Sequence, residues 1–268
     1  MAEYTVLSPQ TCILSPRAKI GRGAVIWPNN VLLGDCMIGE GAVLYPGNLI
    51  EDSSVGAGAV LTASVIKGSQ VGAGAQIGPF AHLRPGSQVG ENCRVGSFVE
   101  VKASRLGRGV RAGHLAYIGD ADVGENTNIG CGVVFCNYDG TQKHRAQVGE
   151  ACFIGSNVNL VAPVHLGDGC YIAAGTTLSG EVPARSFAVA RARAAVRPDE
   201  RGLYRPARES APGGMAAAAE PAGRPAGGCG CGERCRRAGC ACGGEGKAPA
   251  GSCGHSGREG AEEGNAHG

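Results

Sequence analysis

The chain has 268 residues, a formal net charge of +2 and only 4% aromatic residues. It contains no run of about 18 apolar residues of the kind that forms a transmembrane helix, and its first residues lack the basic and apolar regions of a signal peptide. We therefore expect a cytoplasmic protein without membrane insertion. A net charge this small gives no reason to expect a nucleic-acid partner.

Along most of the chain an aliphatic residue recurs at every sixth position, usually followed by glycine. The three clearest runs are Ile20, Ile26, Leu32, Ile38, Leu44 and Ile50; Val71, Ile77, Leu83, Val89, Val95 and Val101; and Val148, Ile154, Leu160, Leu166, Ile172 and Leu178. A six-residue period fits neither an α-helix nor a simple alternating strand, but it is typical of hexapeptide repeats. We predict an all-β fold: a left-handed parallel β-helix, with residues 1–11 as a lead-in or edge strand. Residues 12–182 would form a column roughly 45 Å long.

A second regular position lies four residues after the aliphatic one and carries a small side chain. It is occupied by Ala24, Cys36, Ala42, Ala75, Ser87, Cys93, Cys152 and Cys170. A prism-shaped coil narrows at its corners, so only small residues fit there without overpacking. We expect the core to be too narrow for large aromatic side chains. We further expect glycines such as Gly21, Gly39, Gly72 and Gly90 to supply unusual backbone angles in tight turns.

Thirteen cysteines could suggest a disulfide framework, but seven lie within or beside the repeats. Five of these, including Cys12 and Cys36, fall on the small-residue position. We therefore predict that they are reduced and serve packing.

Composition divides the chain into a repeat domain, residues 1–197, and a tail, residues 198–268. Within the repeats, residues 136–145 form a polar excursion, because Phe135 and Val148 are one residue further apart than two hexapeptides; excursions of this kind often carry binding chemistry. Residues 183–197 are predicted to form a short C-terminal element over the last coil. The tail has no apolar period, and we predict that it is disordered.

The tail raises a separate question of metal binding, because closely spaced thiols can hold zinc or copper. The candidate ligands are Cys229, Cys231, Cys235, Cys240 and Cys242. Their spacing lacks the paired Cys-x-x-Cys units of structural zinc sites, so a flexible reduced tail is the competing interpretation.

Four motifs carry a more specific resemblance: residues 77–86 (IGPFAHLRPG), 98–102 (FVEVK), 112–121 (AGHLAYIGDA) and 136–140 (CNYDG). Their order and spacing resemble the C-terminal acetyltransferase half of bifunctional UDP-N-acetylglucosamine pyrophosphorylase/glucosamine-1-phosphate N-acetyltransferases. The resemblance covers residues 77–193. It implies acetyl-CoA-dependent N-acetylation of glucosamine 1-phosphate in the path to UDP-N-acetylglucosamine and cell-wall precursors, by a homotrimer without a catalytic metal.

The resemblance also assigns site residues. It makes His114 the general base, a role that suits imidazole because its pKa lies near neutrality. The sugar phosphate would be bound by Arg84, Lys102, Tyr117, Asn128 and, with weaker support, Lys143. Acetyl-CoA would be bound by Cys131, Asn137, Tyr138, Ser156, Ala174 and Arg191.

Several alternatives remain open. Residues 1–76 continue the six-residue period, so pyrophosphorylase activity is not expected. A related acyltransferase acting on another amino sugar or sugar nucleotide is the nearest competitor, and a non-catalytic metal-binding scaffold is a more distant one. A zinc hydratase needs three converging imidazoles, and Gly119 offers none beside His114. An acyl-enzyme on Cys131 or Cys136 is a less economical mechanism than direct transfer.

Overall fold

The computed structural model describes residues 3–198. This part of the chain consists of short strands and turns, with one 3-10 turn at Pro9–Thr11. The strands are Thr5–Val6 (β1), Ile13–Leu14 (β2), Lys19–Ile20 (β3), Val25–Ile26 (β4), Val31–Leu33 (β5), Met37–Ile38 (β6), Val43–Leu44 (β7), Leu49–Glu51 (β8), Ser54–Val55 (β9), Val60–Leu61 (β10), Val65–Lys67 (β11), Gln70–Val71 (β12), Gln76–Ile77 (β13), His82–Leu83 (β14), Gln88–Val89 (β15), Arg94–Ser97 (β16), Glu100–Lys102 (β17), Arg105–Leu106 (β18), Arg111–His114 (β19), Tyr117–Gly119 (β20), Ala121–Val123 (β21), Asn128–Ile129 (β22), Val134–Cys136 (β23), Ala146–Val148 (β24), Phe153–Ile154 (β25), Asn159–Leu166 (β26), Tyr171–Ile172 (β27), Thr177–Val182 (β28) and Phe187–Ala188 (β29).

These strands stack into three parallel faces of one column. The first face runs β1-β4-β7-β10-β13-β16-β19-β22-β25-β27-β29. The second contains β2, β5, β8, β11, β14, β17, β20 and β23, and the third contains β3, β6, β9, β12, β15, β18, β21 and β24. The longer strands β26 and β28 continue both the second and the third face. The prediction of an all-β parallel β-helix is confirmed, and β1 is the predicted edge strand.

The interior is lined by the aliphatic residues of the repeat. Members of all three runs are buried, among them Ile26, Leu83 and Ile154. Between the second and third runs the core continues through residues that follow the period less strictly: Leu106, Ala112, Ile118, Val123, Ile129 and Phe135. Steps of five residues shorten some coils, so Arg94 pairs with Arg111, 17 residues later, instead of 18.

The small-residue position has the packing role predicted for it. Cys36, Cys93, Cys152 and Cys170 are buried as free thiols. Burial raises the pKa of the Cys36, Cys93 and Cys152 thiols, since it disfavours the thiolate. Their S–H groups point at backbone carbonyls, as Cys93 Sγ does at the oxygen of Gly107, 3.0 Å away. These cysteines are therefore small core residues and poor nucleophiles.

The glycines that follow the aliphatic residues have a different role from the predicted one. Gly39 and Gly72 do not adopt positive φ angles; positive φ occurs two residues later, as at Gly41 and Gly74. A Cβ on Gly39 would lie 2.5 Å from the backbone nitrogen of Ala57 in the next coil. The expectation of unusual backbone angles at these sites was wrong, because the constraint is the close approach of the neighbouring coil.

A ladder of buried polar residues at the corner before the second face was not predicted. Asn48 donates from Nδ2 to Asn30 Oδ1 at 2.9 Å, and the backbone N–H of Ser64 donates to Asn48 Oδ1 at 3.0 Å. Each amide satisfies a group in the adjacent coil, so the ladder ties three coils together without leaving a buried polar atom unpaired.

Phe135 contradicts the expectation that the core excludes large aromatic side chains. It is fully buried, in register with Leu160 of the next coil. Its coil is the one enlarged by the excursion: Asn128 pairs with Phe153, 25 residues later. The corner residue that follows the excursion is Ala146, which is small and fully buried. The enlarged coil and the small corner residue leave room for one ring.

The C-terminal element differs in part from the prediction for residues 183–197. β29 stacks on β27 and completes a last coil, whereas residues 189–198 have no regular secondary structure. The predicted disordered tail and its five cysteine ligands lie outside the described residues. Within residues 3–198 no helix is long and apolar enough to cross a membrane.

Candidate functional site

A groove of about 380 Å³ opens on the first face beside the predicted base. Four residues predicted for the site line it: His114, Asn128, Cys131 and Ser156. The remaining lining residues are Arg94, Arg111, Gly113, Ile129, Gly130 and Phe153. The groove therefore combines an imidazole, an amide, a hydroxyl and two guanidinium groups at an open surface.

The repeat places the predicted base and three predicted acetyl-CoA residues in a single row. Residues 112, 129, 154 and 172 pair in register along the first face. His114, Cys131, Ser156 and Ala174 each lie two residues later, at the same corner of consecutive coils. With strands about 4.8 Å apart, the row is about 14 Å long. Arg191 extends it, since its Nη1 donates to the carbonyl of Ala174.

Local backbone geometry presents His114 to solvent. β19 ends at His114, which is exposed, and Leu115 then turns the chain with φ of 47°. The turn is held on both sides, because the Leu115 N–H donates to Ser97 and the Leu115 carbonyl accepts from Gly132, each at 2.9 Å. The imidazole therefore projects from a corner whose backbone is fixed by the coils above and below.

A second group of predicted residues lies on the second face, around Asp120. Lys102 Nζ is 3.0 Å from Asp120 Oδ2, and both side chains are mostly buried, at 17% and 14% exposure. Asn137 donates to the same carboxylate oxygen, and its Nδ2 also lies 3.5 Å from the Tyr117 hydroxyl. Lys102 and Asn137 thus converge on one carboxylate, with the Tyr117 hydroxyl next to Asn137, and we call these four residues the Asp120 cluster.

The charges in the Asp120 cluster stabilise each other. Burial by itself would raise the pKa of Asp120, but hydrogen bonds from Lys102 and Asn137 outweigh it and lower that pKa. The hydrogen bond that Lys102 donates to Asp120 raises the pKa of Lys102. The pair therefore stabilises the fold at neutral pH. That contribution is lost in acid, as pH falls through the lowered pKa of Asp120, and in alkali, as pH rises through the raised pKa of Lys102.

Arg84 lies beside the Asp120 cluster on the same face. Its Nη1 is 2.8 Å from Glu100 Oε1, and both side chains are about half-buried. Glu100 pairs in register with Tyr117, which brings the Arg84–Glu100 pair next to the cluster. The two predicted phosphate ligands thus lie near each other, each already paired with a carboxylate.

The excursion is ordered by Asp139. One carboxylate oxygen accepts from the backbone N–H groups of Thr141 and Gln142, at 2.7 and 2.8 Å, and the other lies 2.6 Å from His144 Nε2. These contacts, led by the bond from Gln142, hold the pKa of Asp139 well below its usual range. Tyr138 and Lys143 face each other across an antiparallel bridge. Lys143 is close enough to Asp120 to help lower the pKa of that carboxyl.

The predicted site residues therefore form two groups, which lie apart from each other within a single copy of the chain. His114, Asn128, Cys131, Ser156, Ala174 and Arg191 belong to the first face, and Arg84, Lys102, Tyr117, Asn137, Tyr138 and Lys143 belong to the second face and the excursion. The structure puts Asn137 with the sugar-phosphate candidates, although the resemblance implies acetyl-CoA binding. Among residues 3–198 no hydrogen bond links His114 to Arg84 or Lys102.

Glu100 and Asp120 contact predicted site residues, and sequence reasoning did not single them out. A signal was present, because Arg84 and Glu100 are 16 residues apart and Lys102 and Asp120 are 18 residues apart, each close to the in-register position on the next coil. Diagonal neighbours on adjacent strands are within reach of long side chains, so opposite charges at this spacing favour ion pairs.

The part of the chain that the structure describes contains no group of three His, Cys, Asp or Glu side chains that could hold a metal ion.

Comparison with known proteins adds a family signature. Residues 17–52, 68–103 and 145–180 match the family model for the bacterial transferase hexapeptide (six repeats). These three blocks contain the three predicted runs.

Relatives of this hexapeptide-repeat chain confirm the resemblance predicted from its motifs. It is 49% identical over 180 residues to the bifunctional protein GlmU of Caldicellulosiruptor saccharolyticus. The aligned region covers 67% of this chain and 39% of that protein. It is 45% identical over 193 residues to the bifunctional protein GlmU of a Geobacillus species, covering 72% and 42%. The chain spans about two fifths of the length of these curated relatives. A solved UDP-N-acetylglucosamine acyltransferase from Campylobacter jejuni aligns with TM-score 0.45 and 17% identity, covering 68% of this chain and 70% of that one.

Proposed function

We propose that the β-helix transfers the acetyl group of acetyl-CoA to the amine of glucosamine 1-phosphate, a step in the formation of UDP-N-acetylglucosamine. The observation that carries the proposal is the row of His114, Cys131, Ser156 and Ala174 beside an open groove. A row about 14 Å long suits an elongated acyl donor, with the base at one end and Arg191 at the other. The similarity to GlmU proteins supports an acetyltransferase of amino-sugar nucleotide formation.

In the proposed mechanism His114 is the general base. It accepts a proton from the sugar amine as the nitrogen attacks the thioester carbonyl carbon. The carbon–nitrogen bond forms, and the negative charge on the carbonyl oxygen is stabilised by polar groups of the groove such as the Asn128 amide. The carbon–sulfur bond then breaks, the proton on His114 passes to the leaving sulfur, and the products are the acetylated sugar phosphate and coenzyme A.

The Asp120 cluster and Arg84 would hold the sugar phosphate. Glu100 and Asp120 fix the two cations, so they are oriented before the substrate arrives. Arg offers a planar fork for phosphate oxygens and Lys a point charge. Lys143 adds a third positive charge from the excursion. The Tyr117 hydroxyl is available to the sugar hydroxyls.

Direct transfer is preferred to an acyl-enzyme. Cys131 lies in the groove, but among residues 3–198 neither it nor Cys136 makes a hydrogen bond to an imidazole that could activate it. The proposal does not include uridylyl transfer, because residues 3–76 are coils of the same β-helix. Seven free cysteines in the described residues support a reducing compartment, so the proposal includes a cytoplasmic location.

The proposal includes a homotrimer in which the groove of one copy faces the Asp120 cluster of the next. The edge between the two faces supports assembly: Phe80, Phe98 and Leu115 are 57%, 61% and 56% exposed, and the two phenyl rings stack at 5.3 Å. All three residues have positive φ, where a large side chain is strained. An exposed apolar row of this kind marks an interaction surface. Sedimentation equilibrium should give three times the chain mass.

Steady-state turnover with acetyl-CoA and a panel of amino sugars tests the proposed function. We expect the highest kcat/KM with glucosamine 1-phosphate, ahead of unphosphorylated glucosamine and of UDP-linked amino sugars. A preference for a nucleotide-linked sugar would assign the chain to another hexapeptide acyltransferase activity, and transfer to none of the panel would reject acetyl transfer.

Gly119→Ala is expected to impair sugar-phosphate binding by displacing Tyr117. A Cβ at residue 119 would lie 2.5 Å from the Tyr117 hydroxyl and 2.7 Å from Cζ, so the ring must move. KM for glucosamine 1-phosphate should rise by about tenfold, the value of one or two lost hydrogen bonds, with KM for acetyl-CoA unchanged. Gly58→Ala is a matched control for the added methyl group, because nothing lies within 4 Å of its Cβ position and it lies outside the candidate site, although its φ is positive. Equal KM values in wild type and Gly119→Ala would contradict the role of Tyr117.

A further inference from the structure

Two arginines in the first-face groove stand directly opposite each other. Arg94 and Arg111 pair in register in neighbouring strands β16 and β19, and both side chains are exposed. Neighbouring parallel strands lie about 4.8 Å apart, and like charges directly opposite each other on a sheet are destabilising. The arrangement therefore costs stability unless a negative charge is placed between the guanidinium groups.

Seven other cations of the column pair with a carboxylate: Arg17 with Asp35, Arg22 with Glu40, Lys67 with Glu51, Arg84 with Glu100, Lys102 with Asp120, Arg108 with Glu125, and Arg145 with Asp122. Within residues 3–198 neither Arg94 nor Arg111 has such a partner. Their neighbours in the same outward row are Gln76 and Asn128, which carry no charge.

We propose that Arg94 and Arg111 form an anion subsite that binds a phosphate group of a substrate in the groove that also holds His114. Two guanidinium forks side by side match the oxygens of a phosphate or diphosphate. A phosphate at Arg84 and Lys102 must compete with Glu100 and Asp120, whereas the Arg94–Arg111 pair has no carboxylate to displace. The subsite is therefore distinct from the Asp120 cluster in both position and charge. That the phosphate belongs to a substrate rests on the proposed function; anion binding itself does not.

Direct binding of inorganic pyrophosphate tests the subsite without turnover. Isothermal titration calorimetry on the full chain should show binding that weakens with salt, and Arg94→Gln combined with Arg111→Gln should weaken it by about tenfold or more. Arg105→Gln is the matched control, an exposed arginine on the third face that contacts Gln88. Unchanged pyrophosphate affinity in the double variant, or an equal loss in Arg105→Gln, would overturn the proposal.

Thermal unfolding without ligand checks that the variants are folded. Because the double variant removes a like-charge contact, its Tm should equal or exceed that of the wild type. Pyrophosphate should then raise the Tm of the wild type and of Arg105→Gln by more than that of the double variant, which keeps only Arg84 and the Asp120 cluster to bind it. An equal rise in all three proteins would also overturn the subsite.

Kinetics distinguish the two phosphate sources. If the subsite binds the acyl donor, the double variant raises KM for acetyl-CoA, and the increase shrinks when 3′-dephospho-acetyl-CoA replaces it. If it binds the sugar phosphate, the double variant raises KM for glucosamine 1-phosphate but not for glucosamine. Either result supports the subsite, and unchanged KM values for both substrates would count against it. A chain inactive with all sugars would reject the proposed function while leaving the calorimetric result intact.

Discussion

Replacing His114 with alanine is expected to lower kcat for acetyl transfer by about 10²–10⁴-fold, the usual contribution of a positioned general base. KM for glucosamine 1-phosphate should change little, because the imidazole acts on the amine proton in the transition state and the cations hold the phosphate. Steady-state kinetics at saturating acetyl-CoA measure both values.

His165→Ala serves as the control for this variant. His165 is an exposed histidine on β26, in the part of that strand that continues the third face, and its removal should leave both constants unchanged. Equal kcat in wild type and His114→Ala would remove the base from the mechanism and leave the groove as a binding surface only.

Replacing Phe135 with alanine is expected to lower the free energy of unfolding by about 3–5 kcal/mol, because it empties a fully buried ring site in a tightly packed column. The loss should be concentrated around the excursion, since Asn137 and the contacts of Asp139 follow directly after Phe135. Guanidinium unfolding curves of wild type and variant give the difference.

Phe187→Ala is the matched control, since that ring is 66% exposed and stacks only on Tyr171 among the aromatic pairs of the described residues. Its cost should be about 1 kcal/mol. A loss for Phe135→Ala no larger than that of the control would show that the interior of this coil is not packed around the ring.

The fold could be predicted from the sequence because each position of the repeat has the same packing environment in every coil. Each inward aliphatic and each small corner residue occupies a fixed place in the coil, so period and composition sufficed to predict the column and the buried cysteines. Gly39 and Gly72 show the limit. A glycine required by the close approach of another coil has the same sequence appearance as one required by a positive φ angle.

The ring of Phe135 and the Asn30–Asn48 ladder could not be predicted, because both depend on contacts between coils. The size of the excursion creates the space for the ring, and the amides matter only once they stack. The ion pairs around Arg84 and Lys102 could have been predicted from the sequence, since their carboxylates lie close to the facing position on the next coil. The separation of His114 from these cations onto two faces depends on the positions of the corners in each coil, and the sequence motifs do not indicate those positions.

The most direct test of the account compares Arg84→Ala with wild type on glucosamine 1-phosphate and on glucosamine. If His114 and the cations act on one substrate, Arg84→Ala should lower kcat/KM at least tenfold for the phosphorylated sugar and leave glucosamine turnover unchanged. Such a difference would show that the Arg84 side chain and the phosphate are energetically coupled. Equal losses on both sugars, or none on either, would show that the cations of the second face do not hold the phosphate of the molecule whose amine is acetylated.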